Sequence, residues 1–346
     1  MKPLYPLVVF VFIFLGQVNS QKYTKAFEIA TPKQKVSGSL YTSIKYLESR
    51  KDTSLMGYVH DGFFEKYKEV IAQPHLSIQL SNSLDSLIDS VAGNGELLFQ
   101  CRHIGFSEMV KPLEQRGQFI IRANIYARKG DRYQLLQRVD TAINVSKSPV
   151  TEKLFETGSR VINNAIANCL TQQTDTFPGY SFIEVKNIDI IEKRKMPLYT
   201  SRNLKDGLYL NYESFKNQQP DKEAIVEMFD KQVHRVRAEK NGKVYEMMPE
   251  KLYAVVNEGI AYMGTVNGFF ELKRVNNDFL FIGVGKTSYS AGETTMIALE
   301  GGLLGMALTP DKLSSWQFKI DHITGKFIPV KQLKVMPEYN RNRSIF

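Results

Sequence analysis

The sequence predicts an α+β unit, with helices on one face of a mostly antiparallel sheet, followed by a β-rich meander. Three observations lead there. Leu80 to Val91 and Leu154 to Cys169 repeat apolar residues at helical spacing. Between them lie three segments of strand character. Beyond Gly179, short apolar runs alternate with turn residues about every ten positions, the pattern of an all-β meander.

The elements follow in chain order. Residues 1–20 read as a secretory signal peptide: Lys2 is the only charge before Lys22, and Leu7 to Leu15 is an unbroken apolar run. That run is about half the ~20 residues a membrane-spanning helix needs. Val18 and Ser20 offer the small residues for cleavage before Gln21, and no cysteine follows for lipid attachment. The expectation is an exported chain, periplasmic or surface-associated, with at most peripheral membrane contact.

Residues 21–170 form the expected α+β unit. After a polar lead-in to residue 38, Leu40 to Leu47 reads as a strand. Leu80, Leu84, Leu87, Ile88 and Val91 then share a helical face, with Ser81, Asn82 and Ser83 as N-cap candidates and Gly93 and Gly95 as the stop. Leu97 to Ile104 is the next strand. Phe119, Ile121, Ala123 and Ile125 alternate with Ile120, Arg122 and Asn124, and Tyr133 to Val145 returns after the Lys129-Gly130-Asp131 turn. Ser148 is positioned to cap a helix with Pro149 at its first position, and Leu154, Gly158, Val161, Ile162, Ala165 and Cys169 form its buried stripe.

Residues 171–180, polar and containing Pro178, read as a linker, residues 181–335 as a mostly-β unit and 336–346 as a basic tail. Asn241-Gly242 is the sharpest local signal, the two-residue type I′ loop of a hairpin between Val236–Lys240 and Lys243–Met247. Strands are expected at Leu252–Val256, Ile260–Met263, Phe269–Leu272 and Phe279–Val284, with a last pair from Trp316–Ile320 and Phe327–Val330. The Gly301/Gly305 pair within Met296–Leu308 suits close packing, in a segment too short to span a bilayer.

Composition limits the chemistry. A net charge of +9, falling to +8 once Lys2 leaves, is dispersed along the chain. Nucleic-acid binders concentrate such charge on one element, so the reading is a basic protein facing anionic lipid or polysaccharide. Gly283-Val284-Gly285-Lys286-Thr287 lacks the first glycine of a phosphate loop, since position 280 is Leu280. His60, His75, His103, His234 and His322 show no metal-binding spacing, and no Gly-x-Ser-x-Gly elbow occurs. No cofactor, metal ligand or catalytic residue is therefore assigned.

Three features stay open as sites. Cys101 and Cys169 fall on core-facing positions, where they form a disulfide or remain two buried thiols. Glu184, Asp189 and Glu192 could supply a glycosidase carboxylate pair, although spacing alone cannot fix their separation. Tyr209, Tyr212 and Phe215, beside an Asp206-Gly207 turn, could stack on a sugar or fill a partner's pocket.

Several runs also carry a resemblance. Lys51-Asp52-Thr53 with Met56-Gly57-Tyr58-Val59 and Gly62-Phe63-Phe64, and the Arg128–Leu136 hairpin with Tyr133-Gln134-Leu135-Leu136, resemble exported Bacteroidota proteins that carry no assigned activity. So do Gly207-Leu208-Tyr209-Leu210, Glu213-x-Phe215, Pro220 and the Phe270–Ile282 strands. The order of elements in the first half is similar to auxiliary lipoproteins of envelope transport systems, by fold-level analogy. The resemblance implies an envelope location and transfers no site residues. Together these readings lead to a non-catalytic envelope protein that binds an envelope protein or polysaccharide. The alternative is an extracytoplasmic hydrolase of glycans or peptides with its site at the junction of the two units.

Overall fold

The computed structural model describes residues 24–286 and 313–333, apart from 51–52, 54–55, 61–66, 90–92, 112–113, 147 and 175–177. The proposed signal peptide, the Gly301/Gly305 segment and the C-terminal tail lie outside the described residues. The described chain is mostly β, arranged in three sheets with helices.

The first sheet contains β1 (Thr24–Phe27), β2 (Tyr41–Glu48), β3 (Gly57–His60), β4 (Tyr67–Ala72), β5 (Gly95–Lys111), β6 (Glu114–Lys129), β7 (Arg132–Val145) and β8 (Tyr180–Ser181). Its order is β1-β4-β3-β5-β6-β7-β8, with β2 also on β5. The three long central strands are antiparallel as expected, but β1–β4, β2–β5 and β3–β5 pair in parallel, so the sheet is mixed. Strand β1 lies in what reads as a polar lead-in. Phe27 explains it: one fully buried aromatic at the strand's end joins the core, a signal too small for periodicity to register.

Two helices, α1 (Leu76–Leu87) and α2 (Val150–Cys169), cover one face of this sheet. Both begin differently from expectation. Helix α1 starts five or more residues ahead of Ser81, Asn82 and Ser83, because the His75 ring accepts the Ser77 N–H and serves as its cap. At α2, Pro149 occupies the cap position and no side-chain cap bond comes from its own segment. Instead the buried Glu108 of β5 accepts from the Thr151 hydroxyl in the first turn, at 2.5 Å. A carboxylate there faces the positive end of the helix. The expected stripe of α2 is buried except for the half-buried Val161, and Gly158 has a packing reason. A Cβ there would lie 3.0 Å from the Phe106 ring and 3.2 Å from Phe119. Phe106 is at the centre of an aromatic cluster with Phe27, Phe119 and Phe155, at centroid separations of 4.7, 4.9 and 5.1 Å.

Strand β5 changes phase part-way. Leu97, Phe99 and Cys101 belong to the helix-side core, as do Ile104 and Phe106, and a β-bulge falls between Cys101 and His103. The extra residue leaves both Arg102 and His103 off the core face. That single irregularity supplies the sheet's other face with two consecutive polar side chains.

The second half is not purely β. Four short helices come first: α3 (Phe182–Lys186), α4 (Ile188–Lys193), α5 (Pro197–Thr200) and, beyond β9 (Gly207–Tyr209), α6 (Tyr212–Lys216). Helix α3 has a full capping box between Ser181 and Glu184. The three-stranded sheet is β10 (Ile225–Phe229), β11 (Gln232–Lys240) and β12 (Lys243–Glu246). Its hairpin is the expected one: Lys240 pairs with Lys243 across Asn241 and Gly242, both with positive φ.

The seven-stranded sheet runs β18-β17-β16-β15-β14-β13-β9, built from β13 (Ala254–Asn257), β14 (Ile260–Thr265), β15 (Gly268–Val275), β16 (Asp278–Lys286), β17 (Leu313–Ile320) and β18 (Phe327–Leu333). It is the meander the sequence predicts, closed at one edge by β9. Alternation sorts its side chains. Tyr209, Ala254, Val256, Ala261 and Met263 enter one core, while Leu208, Val255 and Tyr262 pack with Val233, Val236 and Ala238 of the three-stranded sheet. Burial on both faces explains why Leu252–Val256 reads as one continuous apolar run.

Candidate functional site

The residues that sequence spacing singled out divide sharply in the structure. Tyr209 and Phe215 are fully buried and Tyr212 is 9% exposed, all in the core of the second half. They pack on each other and on Tyr253, so the stacking surface expected of them does not exist. Apolar area drives rings inward when a core is within reach. Cys101 and Cys169 share the first core but stand as two free, buried thiols, not a disulfide. Burial pushes both thiols up to about 12, so neither is a nucleophile. Gly283 and Gly285 lie on β16, paired with Trp316 and Ser314, and the Thr287 end of that motif lies outside the described residues.

Of the three candidate carboxylates, Glu184 closes the capping box of α3. Asp189 and Glu192 are different. They sit on α4 and face the bulge of the first sheet, where Arg102 Nη2 lies 2.5 Å from Asp189 Oδ1 and 2.6 Å from Glu192 Oε2. Arg138 of β7 reaches Glu192 at 3.3 Å. From the turn between β17 and β18, His322 Nε2 comes within 3.0 Å of the same carboxylate. Next to this hub Arg122 of β6 reaches Asp321 at 2.5 Å and also pairs with Asp140. Lys193 and Lys319 both bind Asp278, joining α4 to the seven-stranded sheet.

The centre of the hub is buried, while its rim is open: the Asp189 side chain is 55% exposed and that of Arg138 46%. The side chains of Arg102 and His322 are 5% exposed, Asp321 7% and Glu192 10%. Burial by itself raises the Glu192 pKa, but hydrogen bonds from His322 and Arg102 and the charges of Arg102 and Arg138 outweigh it and bring the group down to about 2. Asp321 behaves alike. Burial opposes ionisation, while the charge and hydrogen bond of Arg122 and the N–H groups of Thr324 and Ile323 lower it to about 2. His103, paired across strands with Arg122, is held neutral by burial and by that guanidinium.

Asp189, Glu192 and His322 bring one ligand atom each within 4.8 Å of the others, which is metal-ligand proximity. The donor set does not fit a resident ion, because the Arg102 guanidinium already lies against both carboxylates. A cation placed there would meet a buried positive charge. Nor does the pair suit glycoside hydrolysis. That reaction needs one carboxyl protonated near neutral pH, and the surroundings of Glu192 do the opposite. The arrangement is a charge-balanced network joining two parts of the chain. The sequence pointed to Asp189 and Glu192 but not to Asp321 or Arg102, and gave His322 only as one of five scattered histidines. One signal was available: two polar residues in succession, Arg102-His103, break the alternation of an otherwise apolar-periodic strand.

The chain matches no protein-family model and no curated protein. Among solved structures it is similar to a crystal structure of a Xanthomonas campestris protein assigned to the DUF330 family. The two share 10% identity with a TM-score of 0.25, over 49% of this chain and 99% of that one, too little to speak for fold or function.

Proposed function

We propose that this is a non-catalytic, exported protein of a bacterial envelope, built as an α+β unit (21–170) and a mostly-β unit (181–335), that binds an envelope protein or polysaccharide. One observation carries the non-catalytic part. Glu192, the buried carboxylate of the junction, is bound by Arg102 and Arg138 and held down to about 2, which suits a charge partner better than a proton donor. The apolar N-terminal run and its cleavage-site residues support export, and the basic balance suits an anionic envelope surface.

Incubating the purified mature chain with a panel of glycans and peptides tests this. No turnover is expected, together with saturable retention on an envelope polysaccharide or reciprocal cross-linking to one envelope protein. Turnover lost in Glu192→Gln would overturn the proposal in favour of the second reading, a hydrolase. That reading has one observation of its own, the convergence of Asp189, Glu192 and His322 at the junction.

A further inference from the structure

We propose that the ion pairs between the first sheet and the second half form an electrostatic latch, which selects one orientation of two bodies and opens without dismantling either core. The inference holds whatever the protein binds.

Sign is segregated across the junction. The first sheet contributes the cations Arg102, Arg122 and Arg138, and the second half contributes Asp189, Glu192 and Asp321. Among the described residues, Asp140 on Arg122 breaks the rule. Apolar packing is segregated as well. Among the described residues, no apolar cluster mixes positions 24–170 with positions 196–333. The one cluster that reaches past residue 170 stops at Val185, which joins Leu98 and Tyr126 on the sheet, with Tyr180, Tyr133 and Leu135 around them. The Val185 carbonyl also accepts from Gln100 Nε2 at 2.8 Å. Helix α3, although its residues fall within the proposed 181–335 unit, therefore packs with the first body.

Helix α4 belongs to the second, through Lys193 on Asp278 and Glu192 on His322. Between them stands Asn187, which ends α3 and begins α4. It is the join between the two short helices, with the buried Ile188 directly after it, and it is the natural pivot.

Energetics make such a contact a selector more than an adhesive. Attraction between buried charges is largely offset by the cost of taking them out of water, so the closed pose gains little over an open, hydrated one. A misdocked pose is different, because it leaves buried charges without partners and is strongly disfavoured. The junction is thus specific without being strong, as a two-state element must be.

The test uses the full mature chain with spin labels at Glu156→Cys on α2 and Lys273→Cys on β15, both exposed positions. Three backgrounds are compared: unmodified, the isosteric pair Glu192→Gln/Asp321→Asn, and the triple Arg102→Met/Arg122→Met/Arg138→Met. The unmodified chain should give a single narrow distance distribution. Both altered backgrounds should shift it to longer and broader distances while near-ultraviolet circular dichroism keeps its native shape. A narrow, unshifted distribution in the isosteric pair would overturn the latch. Broadening that comes only with loss of the native circular dichroism would overturn it too, since the pairs would then be holding up the cores themselves. Should the triple variant fail to fold, the isosteric pair decides alone.

Discussion

The two faces of the first sheet are buried by opposite means. One face lies under α1 and α2 in an apolar core of Phe27, Phe106, Phe119 and their neighbours. The other presents Gln100, Arg102, Arg122, Asn124 and Arg138, and apart from a small apolar cluster of Leu98, Tyr126 and Val185 it is covered through hydrogen bonds and ion pairs. Apolar burial stabilises in proportion to area and tolerates small shifts of position. Paired charges contribute less net energy but penalise any misplacement. The helix side therefore accounts for stability, and the charged side for how the rest of the chain is placed.

The contrast can be broken from either side. Phe106→Ala should have the largest effect, a loss of about 3–5 kcal/mol, because it empties the centre of the aromatic cluster. Urea denaturation would measure it. Glu192→Gln keeps the shape of the hub and removes its charge. It should cost about 0.5–1.5 kcal/mol, since the junction can open into water instead of leaving Arg102 and Arg138 buried and unpaired. A loss equal to that of Phe106→Ala would show that the charged face is as much a core as the apolar one.

Acid sharpens the same comparison. Glu192 and Asp321 both lie at about 2 in the folded chain, below the ordinary carboxylate range, so the unfolded chain binds more protons in the intervening window. Their stabilisation is present above pH ~4.5 and is lost as the pH falls toward about 2. Thermal unfolding across that window should show a declining midpoint, and Glu192→Gln/Asp321→Asn should flatten the decline.

Smaller effects complete the series. Tyr209→Phe removes the hydroxyl that donates to the Lys205 carbonyl at 2.5 Å and should cost about 1 kcal/mol. Retention on any polysaccharide should be unchanged by it, since Tyr209 is core. Lys153→Ala breaks an exposed pair with Glu156 on α2 and should stay within about 0.5 kcal/mol.

Local patterns were legible where one chain segment contains the whole cause. The Asn241-Gly242 hairpin, most of the α2 stripe and the middle of strands β5 and β6 follow from spacing and turn chemistry, although both strands run well past the expected Leu97–Ile104 and Phe119–Ile125. Helix starts were not legible, because the effective partners are remote or unusual: His75 caps α1, and Glu108 faces the start of α2 from another strand. The parallel pairing of β1, β2 and β3 was equally hidden, since strand direction within a sheet leaves no trace in the alternation of side chains.

By itself the sequence predicted an α+β unit followed by a β-rich meander; the described chain is mostly β, in several sheets with helices. Such predictions depend on periodicity and on turn residues, which act over a few positions. Only the tertiary structure decided which charges matter. Asp189 and Glu192 read as solvated surface until a β-bulge turned Arg102 toward them and the β17–β18 turn brought His322 alongside. Those four residues span more than 200 positions, and electrostatic partnership depends on distance in space, which no local pattern encodes.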